Sequence, residues 1–129
     1  MLKEAGADTG YVETLDGASG HAVIQIDESG QNNIIICGGT NRKITREYIS
    51  SVLEHFGKGD LILLQNEISN IDFAMEEAKK RGLQVAFNPS PADEGVFLCN
   101  LELVDYFILN EVEGRILAGT DSEEPAPIR

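Results

Sequence analysis

Basic side chains are scarce in this sequence of 129 residues. Ten lysines and arginines stand against 22 aspartates and glutamates, so the formal charge at pH 7 is −12. Affinity for nucleic acid depends mainly on Lys and Arg side chains that neutralise phosphates. The charge therefore argues against a nucleic-acid partner.

Long apolar stretches are also lacking. No apolar run reaches the roughly 18 residues that a membrane-spanning helix needs, and the first residues, MLKEAG, lack the apolar stretch of a signal peptide. We therefore expect a cytoplasmic protein with no membrane contact. The 42% of hydrophobic and 25% of charged residues are typical of a globular protein.

Residues that form metal or dinucleotide sites are few and scattered. Cys37 and Cys99 lie in apolar runs without a CxxC partner, and the two histidines fit no metal-ligand spacing. We predict two buried free thiols rather than a disulfide or a metal site. No GxGxxG follows a predicted strand, which argues against a dinucleotide-binding domain.

The first third of the chain predicts a β-hairpin. Residues 2–5 resemble the last turn of a helix that Gly6 ends, which suggests a chain that begins inside an element. An alternating run at 20–27 and a β-branched run at 33–37 then flank a short loop that contains Gly30. This spacing predicts an antiparallel pair over about 20–37.

The rest of the chain predicts alternating helices and strands. Apolar spacings of three and four indicate a helix over 45–56, whose inward face includes Phe56, and a helix to Arg81 that Ser69 or Asn70 can cap. A short helix is predicted from Glu111 and ends at Gly119. Strands are predicted at 61–64, covered on both faces, and at 83–87 and 104–109. This order is typical of an α/β layer with a largely parallel sheet. The tail 120–129 is acidic, and we expect it to be flexible.

Polar side chains follow all three predicted strands. They are residues 65–67, 88–91 and 110–113. Ligands of open α/β sheets bind at the carboxyl ends of the strands, although Asn, Pro and Glu are also ordinary loop residues. Three strand ends with polar side chains together favour a ligand-binding site.

Asn110 and Glu113 are three residues apart at a predicted helix start, so both side chains can face one point. An amide oxygen and a carboxylate there suit hydrated Mg²⁺. The alternative for Glu113 is a carboxylate that simply stabilises the positive end of the helix.

These segments together resemble the middle of a ribokinase-like carbohydrate kinase of the PfkB family. AGADT at 5–9 resembles the family's AGVDT, residues 20–41 its lid hairpin and GAN loop, LQNE at 64–67 its LQLE, NPSP at 88–91 its NPAP, and NEVE at 110–113 its NETE. Each segment is a weak signal, but all five follow the family's order. The implied fold is α/β, a three-layer Rossmann-like, partly parallel sheet with helices and a β-hairpin lid, with residues 1–119 as the central part of an incomplete domain.

The resemblance implies ATP-dependent phosphorylation of a sugar hydroxyl, most like that of ribose. It assigns Glu67 and Asn41 to the sugar, although this chain has Gly-Thr-Asn in place of GAN. Ala22, Ile24 and Ile36 correspond to apolar lid residues against the sugar, or else they simply pack within the hairpin. Asn110 and Glu113 correspond to the pair that organises Mg²⁺ and the ATP phosphates. The lid hairpins of two subunits clasp each other in this family, which implies a homo-oligomer.

Two motifs of the family are missing from this sequence. There is no glycine-rich GGN motif near the start and no GAGD motif, which would supply the catalytic Asp and the anion hole. Phosphoryl transfer depends on such positioning and charge stabilisation. We therefore expect a kinase fragment without catalytic residues of its own, inactive in isolation. The alternative is a non-catalytic α/β module for dimerisation or ligand binding.

Overall fold

The structure is a computed structural model that describes residues 1–30 and 32–119. The chain divides into two units, Met1–Lys43 and Ile44–Arg129. The first unit contains strands β1 (His21–Ile26) and β2 (Asn32–Cys37) and a 3-10 helix at Gly39–Lys43. The predicted tail at 120–129 lies outside the described residues.

The second unit alternates strands with helices. Its main elements are α1 (Arg46–Leu53), β3 (Leu61–Gln65), α2 (Ile71–Lys80), β4 (Gln84–Asn88), β5 (Tyr106–Phe107) and α3 (Glu111–Ala118), with 3-10 helices at Glu94–Leu98 and Leu101–Leu103 between β4 and β5. The strands form one parallel sheet in the order β3, β4, β5. This confirms the predicted α/β class.

The predicted hairpin is confirmed. Strands β1 and β2 pair antiparallel in a register that places His21 opposite Cys37 and Ile26 opposite Asn32. At the turn, the Gly30 amide donates to the Asp27 carbonyl over 3.0 Å, and Gly30 has a φ of +82°. Glycine adopts this left-handed conformation without a steric penalty.

The predicted helix end near the start of the chain is a single turn. The Gly6 amide donates to the Lys3 carbonyl over 3.0 Å, and the Ala7 amide donates to the Leu2 carbonyl over 3.1 Å. Gly6 has a φ of +82°. This pair of bonds is the Schellman motif by which many helices end.

Helices α1 and α2 pack their apolar sides into one core with the sheet. Thr45 caps α1 because its side chain accepts a hydrogen bond from the Tyr48 amide. The buried core residues are Ile49, Leu53, Leu64, Ile71, Ala74, Met75, Ala78, Leu83, Val85, Phe87 and Val96. The inward position predicted for Phe56 is wrong, because its ring lies just beyond α1 and is exposed.

The predicted side-chain cap of α2 is also wrong. Asn70 is the residue before the helix, but it makes no capping hydrogen bond and adopts a φ of 59°. Its side-chain amide instead donates to the Ile44 carbonyl over 2.7 Å, and the Ser69 hydroxyl donates to the same oxygen over 3.1 Å. These side chains hold the segment before α1 instead of starting α2. The end of α2 matches its prediction, since Gly82 follows with a φ of +82°.

The prediction that β3 is covered on both faces is wrong for the described residues. Ile62 and Leu64 face the helices, whereas Leu61 and Leu63 are 51% and 62% exposed. Side chains alternate between the faces of a strand, and the core residues of the helices all pack on the Leu64 side. On the other face of this sheet, Leu61 and Leu63 are therefore exposed apolar side chains among the described residues.

The third strand is shorter than the predicted 104–109 and is held at its start by Asp105. The Asp105 carboxylate accepts a hydrogen bond from the Val85 amide over 2.7 Å and forms an ion pair with Lys79 at 2.7 Å. The hydrogen bonds from Lys79 and Val85 hold the pKa of Asp105 below its usual value. Only Tyr106 and Phe107 then pair in register with β4.

The two cysteines are free, as predicted, but they are less buried than expected. Cys37 is exposed at the end of β2, and Cys99 is half-buried. Burial raises the pKa of the Cys99 thiol, and the charge of Asp72 adds to this effect.

Candidate functional site

The carboxyl ends of the three parallel strands lie along one edge of the sheet. Gln65 is in register with Asn88, and Phe87 is in register with Phe107. The polar segments at 65–67, 88–91 and 110–113 follow directly from these ends. Neighbouring strands are about 4.8 Å apart, so the segments after β3 and β5 are separated by roughly two strand spacings, with the segment after β4 between them.

Glu67 lies just beyond β3 and is half-buried. Its carboxylate makes no hydrogen bond and no ion pair with any residue that the structure describes. A half-buried carboxylate without a protein partner keeps all its acceptor positions for a ligand. Hydroxyl groups of a sugar are suitable donors to such a carboxylate.

Asn66, next to Glu67, is a residue that the sequence reasoning did not single out. Among the described residues, Asn66 is the polar residue that is buried, with 5% of its surface exposed. Its side-chain amide donates to the Pro91 carbonyl over 2.7 Å and to Asp93 Oδ1 over 2.9 Å. The signal that could have revealed it is an amide directly after an apolar strand, where a buried polar group needs partners.

The loop after β4 is ordered by its own side chains. Asn88 Oδ1 accepts from the Ser90 amide over 3.0 Å, and Asp93 Oδ1 accepts from the Gly95 amide over 2.9 Å. Such short-range bonds from Asn and Asp are typical of turns. Asp93 therefore accepts from both Asn66 and Gly95, and joins the loops after β3 and β4.

Asn110 and Glu113 form a capping box at the start of α3. Asn110 Oδ1 accepts from the Glu113 amide over 2.9 Å, and Glu113 Oε2 accepts from the Asn110 amide over 3.0 Å. Each side chain thus satisfies an amide at the helix start. The Glu113 carboxylate therefore lies at the positive end of the helix, as the alternative interpretation of this residue predicted.

This arrangement leaves one oxygen for a metal ion. Glu113 Oε1 has no hydrogen-bond partner among the described residues. No group of three or more His, Cys, Asp or Glu side chains in residues 1–30 and 32–119 is placed to hold a metal. One carboxylate oxygen does not form a closed metal cage, so an ion such as Mg²⁺ would keep most of its waters there.

The predicted lid residues share one face of the hairpin. Ala22 is opposite Ile36, and Ile24 is opposite Ile34. Residues directly opposite each other on two strands project from the same face. The four side chains therefore form one apolar strip, and Ile24, Ile34 and Ile36 are exposed.

Asn41 lies in the 3-10 helix at the base of the same hairpin. Its side chain occupies the place where a Cβ on Gly20 would lie. The Asn41 amide donates to the Gly38 carbonyl over 3.0 Å, and the Thr40 amide donates to the Ala18 carbonyl over 2.9 Å. Asn41 is thus packed against the start of β1, with Ala22, Ile24 and Ile36 in the same unit, whereas Glu67, Asn110 and Glu113 belong to the second unit.

Helices that could cross a membrane were not found within the described parts of the chain. No protein-family model matches the sequence.

Two curated relatives match nearly the whole chain. A deoxyribokinase of Salmonella typhi is 35% identical in an alignment of 121 positions that covers 92% of this chain and 40% of that protein. A ribokinase of Haemophilus influenzae is 31% identical in an alignment of 123 positions that covers 92% of this chain and 39% of that protein. The chain therefore spans about two fifths of the length of these relatives.

Solved structures agree with this similarity. A protein named Sa239 has a TM-score of 0.76 and 30% identity, over 95% of this chain and 41% of its own. The ribokinase of Cryptococcus neoformans, solved with ADP, has a TM-score of 0.69 and 26% identity, over 95% of this chain and 40% of its own. The ribokinase of Arabidopsis thaliana, solved with ribose and ATP, has a TM-score of 0.53 and 26% identity, over 85% of this chain and 37% of its own. In sequence and in fold, the chain is similar to part of a ribokinase.

Proposed function

We propose that this chain is part of an ATP-dependent kinase that phosphorylates a hydroxyl group of a ribose-like sugar. One observation carries the proposal: Glu67, the 88–91 loop and Asn110 follow strand ends at the same edge of a parallel sheet. The chain that carries them is similar to ribokinases. Ligands of such sheets bind at this edge. The proposed compartment is the cytosol.

The residues proposed to contact the sugar are described within each unit separately. Glu67 has a carboxylate without a protein partner to accept sugar hydroxyl groups. The strip formed by Ala22, Ile24 and Ile36 can cover the C–H surface of a sugar. Asn41 at the base of the hairpin supplies an amide. Each role is the one that the resemblance implies.

Asn110 and Glu113 are proposed to lie near the ATP phosphates. When bound, Mg²⁺ would neutralise phosphate charge there, and Glu113 Oε1 is the oxygen available to its water shell. The capping box satisfies the backbone amides of Asn110 and Glu113, so these side chains would act with the helix start already formed.

The isolated chain is proposed to bind sugar without phosphorylating it, because it has no GAGD motif to supply a catalytic Asp. Purified protein with ATP, Mg²⁺ and ribose should form no ADP above the buffer rate. Ribose should shift the NMR signals of residues near Glu67, and Glu67→Gln should weaken this binding. Turnover by the purified chain would contradict the loss of activity, and binding unaffected by Glu67→Gln would contradict the site.

The chain is also proposed to dimerise through its hairpin. Ile24 and Ile36 are exposed apolar residues on one face of a two-stranded ribbon. Replacement of both by Lys should shift the sedimentation coefficient towards that of a monomer. Leu61→Lys is the matched control, because Leu61 is equally exposed but lies in the second unit. An unchanged coefficient for the hairpin variant would contradict this interface.

A non-catalytic module for dimerisation or ligand binding is the second candidate. It is favoured by the capping box, because Asn110 and Glu113 already stabilise α3 without any ligand. This candidate predicts dimerisation through the hairpin but no binding of ATP with Mg²⁺. Equilibrium dialysis with labelled ATP, on the wild type and on Glu113→Gln, separates the two candidates.

A further inference from the structure

Asn66 connects two loops that the sheet alone does not join. Its side-chain amide donates to the Pro91 carbonyl at 2.7 Å and to Asp93 Oδ1 at 2.9 Å, and these partners are 25 and 27 residues away in sequence. The side chain is 5% exposed, so water does not replace these bonds easily. The loop that carries Glu67 is thereby tied to the loop after β4.

Both bonds depend on the donor half of the amide. A Leu at this position, as in the LQLE motif that residues 64–67 resemble, has no donor, and an Asp has only acceptors when it is ionised. Asp93 in turn holds the Gly95 amide at 2.9 Å, so the connection continues to the start of the 3-10 helix Glu94–Leu98. The two bonds of Asn66 therefore require a side chain that donates, and a side chain that only accepts would not form them.

We propose that Asn66 is a positioning residue that sets the place of the Glu67 carboxylate for the sugar. This rests on the proposed function only for the identity of the ligand. Glu67 has no bond of its own to hold it within the described residues, so its position follows from its backbone. The bonds of the preceding residue fix that backbone against residues 91–93.

The first experiment measures the connection without any sugar. Asn66→Leu and Asn66→Asp should speed hydrogen exchange of the Gly95 amide about tenfold, since the Asp93 side chain is then no longer held in place by Asn66 against this amide. The Leu83 amide, which donates to the Ala78 carbonyl at the opposite end of β4, should stay unchanged. Asn100→Asp is the control variant, because Asn100 uses only its oxygen, as an acceptor for the Glu102 amide. Unchanged exchange at Gly95 would overturn the connection.

The second experiment measures ribose affinity as a function of pH. An Asp at position 66 would face Asp93 and a carbonyl oxygen, which disfavours its charge and raises its folded pKa. Its protonated form can donate one hydrogen bond, so Asn66→Asp should bind ribose about tenfold more weakly than wild type at neutral pH and recover towards wild type in acid. A loss of affinity that does not depend on pH would overturn the donor role.

A double-mutant cycle separates positioning from a general loss of structure. If Asn66 acts through Glu67, then Asn66→Leu should weaken ribose binding in the wild type but not in a Glu67→Gln background. Equal effects in both backgrounds would overturn the positioning role. If the wild type binds no ribose, the proposed function fails, and the Gly95 exchange still decides whether Asn66 joins the two loops.

Discussion

Similar hydrophobic residues are exposed in the first unit of this chain and buried in the second. In the second unit, Val85 and Phe87 of β4 are completely buried under α1 and α2. In the first unit, Val23 and Ile35 of the hairpin are more than half exposed, and no described residue there is buried. Burial is therefore decided by what covers a strand, and not by the composition of the strand.

This difference predicts where the chain needs other contacts. A two-stranded ribbon is at best marginally stable alone, and an exposed apolar patch often marks an interaction surface. The hairpin is thus the part whose order should depend most on a ligand or a partner. The following predictions test this contrast.

The largest effect on the free energy of unfolding is expected when a core side chain of the second unit is removed. Phe87→Ala should lower the free energy of unfolding by about 3–5 kcal/mol, because it removes a buried ring and leaves a cavity. Ile35→Ala, on the exposed hairpin, should change it by about 0.5 kcal/mol or less. Urea unfolding followed by circular dichroism measures both. Similar losses for the two variants would contradict the contrast between the units.

A smaller effect is expected at the base of the hairpin. Gly39 has a φ of +51°, and a Cβ there would collide with the backbone of Ala18 and Ser19. Gly30 has a φ of +82° but open space around it. Both Ala variants carry a conformational cost of roughly 1–2 kcal/mol, and only Gly39→Ala adds the collision.

Amide exchange and chemical shifts of residues 18–43 should therefore change more in Gly39→Ala than in Gly30→Ala. The amides of the second unit serve as an internal reference, because the atoms that a Cβ at Gly39 would meet lie within the first unit. Equal perturbation by the two variants would mean that the tight backbone approach at Gly39 is unimportant.

The capping box of α3 should contribute about 1 kcal/mol to that helix. Asn110→Ala should reduce its helical content, since α3 buries none of its described residues and depends on its cap. Asn110→Asp keeps an acceptor oxygen and serves as the control, and Glu113→Gln keeps the box but removes the charge. Secondary chemical shifts of residues 111–118 report the helix. Full helicity in Asn110→Ala would show that the cap is dispensable.

The smallest expected effect concerns pH. The pKa of Asp105 is lowered in the folded chain by its hydrogen bonds from Lys79 and Val85. A carboxyl group whose folded pKa is depressed stabilises the fold above its unfolded pKa, and this contribution is lost as the pH falls through the folded pKa.

The melting temperature of wild type should therefore fall in acid more than that of Asp105→Asn. At neutral pH the substitution should cost about 1 kcal/mol or less, because the Asp105 side chain is about one third exposed. Asp8→Asn, at an exposed turn outside this network, is a suitable control. Parallel curves for wild type and Asp105→Asn would contradict the role of this carboxylate.

The elements could be predicted because their signals are local. Periodic apolar residues gave α1 and α2, and the β-branched run before Cys37 gave β2. The extent of β5 could not be predicted, because only pairing with β4 decides where a strand ends, and that pairing covers Tyr106 and Phe107 alone. The cap of α2 failed for a similar reason, since Asn70 binds the Ile44 carbonyl 26 residues away.

The candidate site could be predicted only in part. Asn110 and Glu113 were singled out by their spacing, and that spacing does bring them together, as a capping box. Asn66 was missed because its partners, Pro91 and Asp93, come from another loop. No spacing within the sequence indicates that an amide will donate to residues after a different strand.

The sequence by itself determined the α/β class, the hairpin and the resemblance to ribokinases, because these depend on local periodicity and on the order of short motifs. Only the tertiary structure decided which apolar residues are covered and which polar side chains are paired. Leu61 and Leu64 belong to the same four-residue apolar run, but of these two only Leu64 is buried, because its face of the sheet meets the helices. Such contacts join residues that are distant in sequence, and local patterns do not specify them.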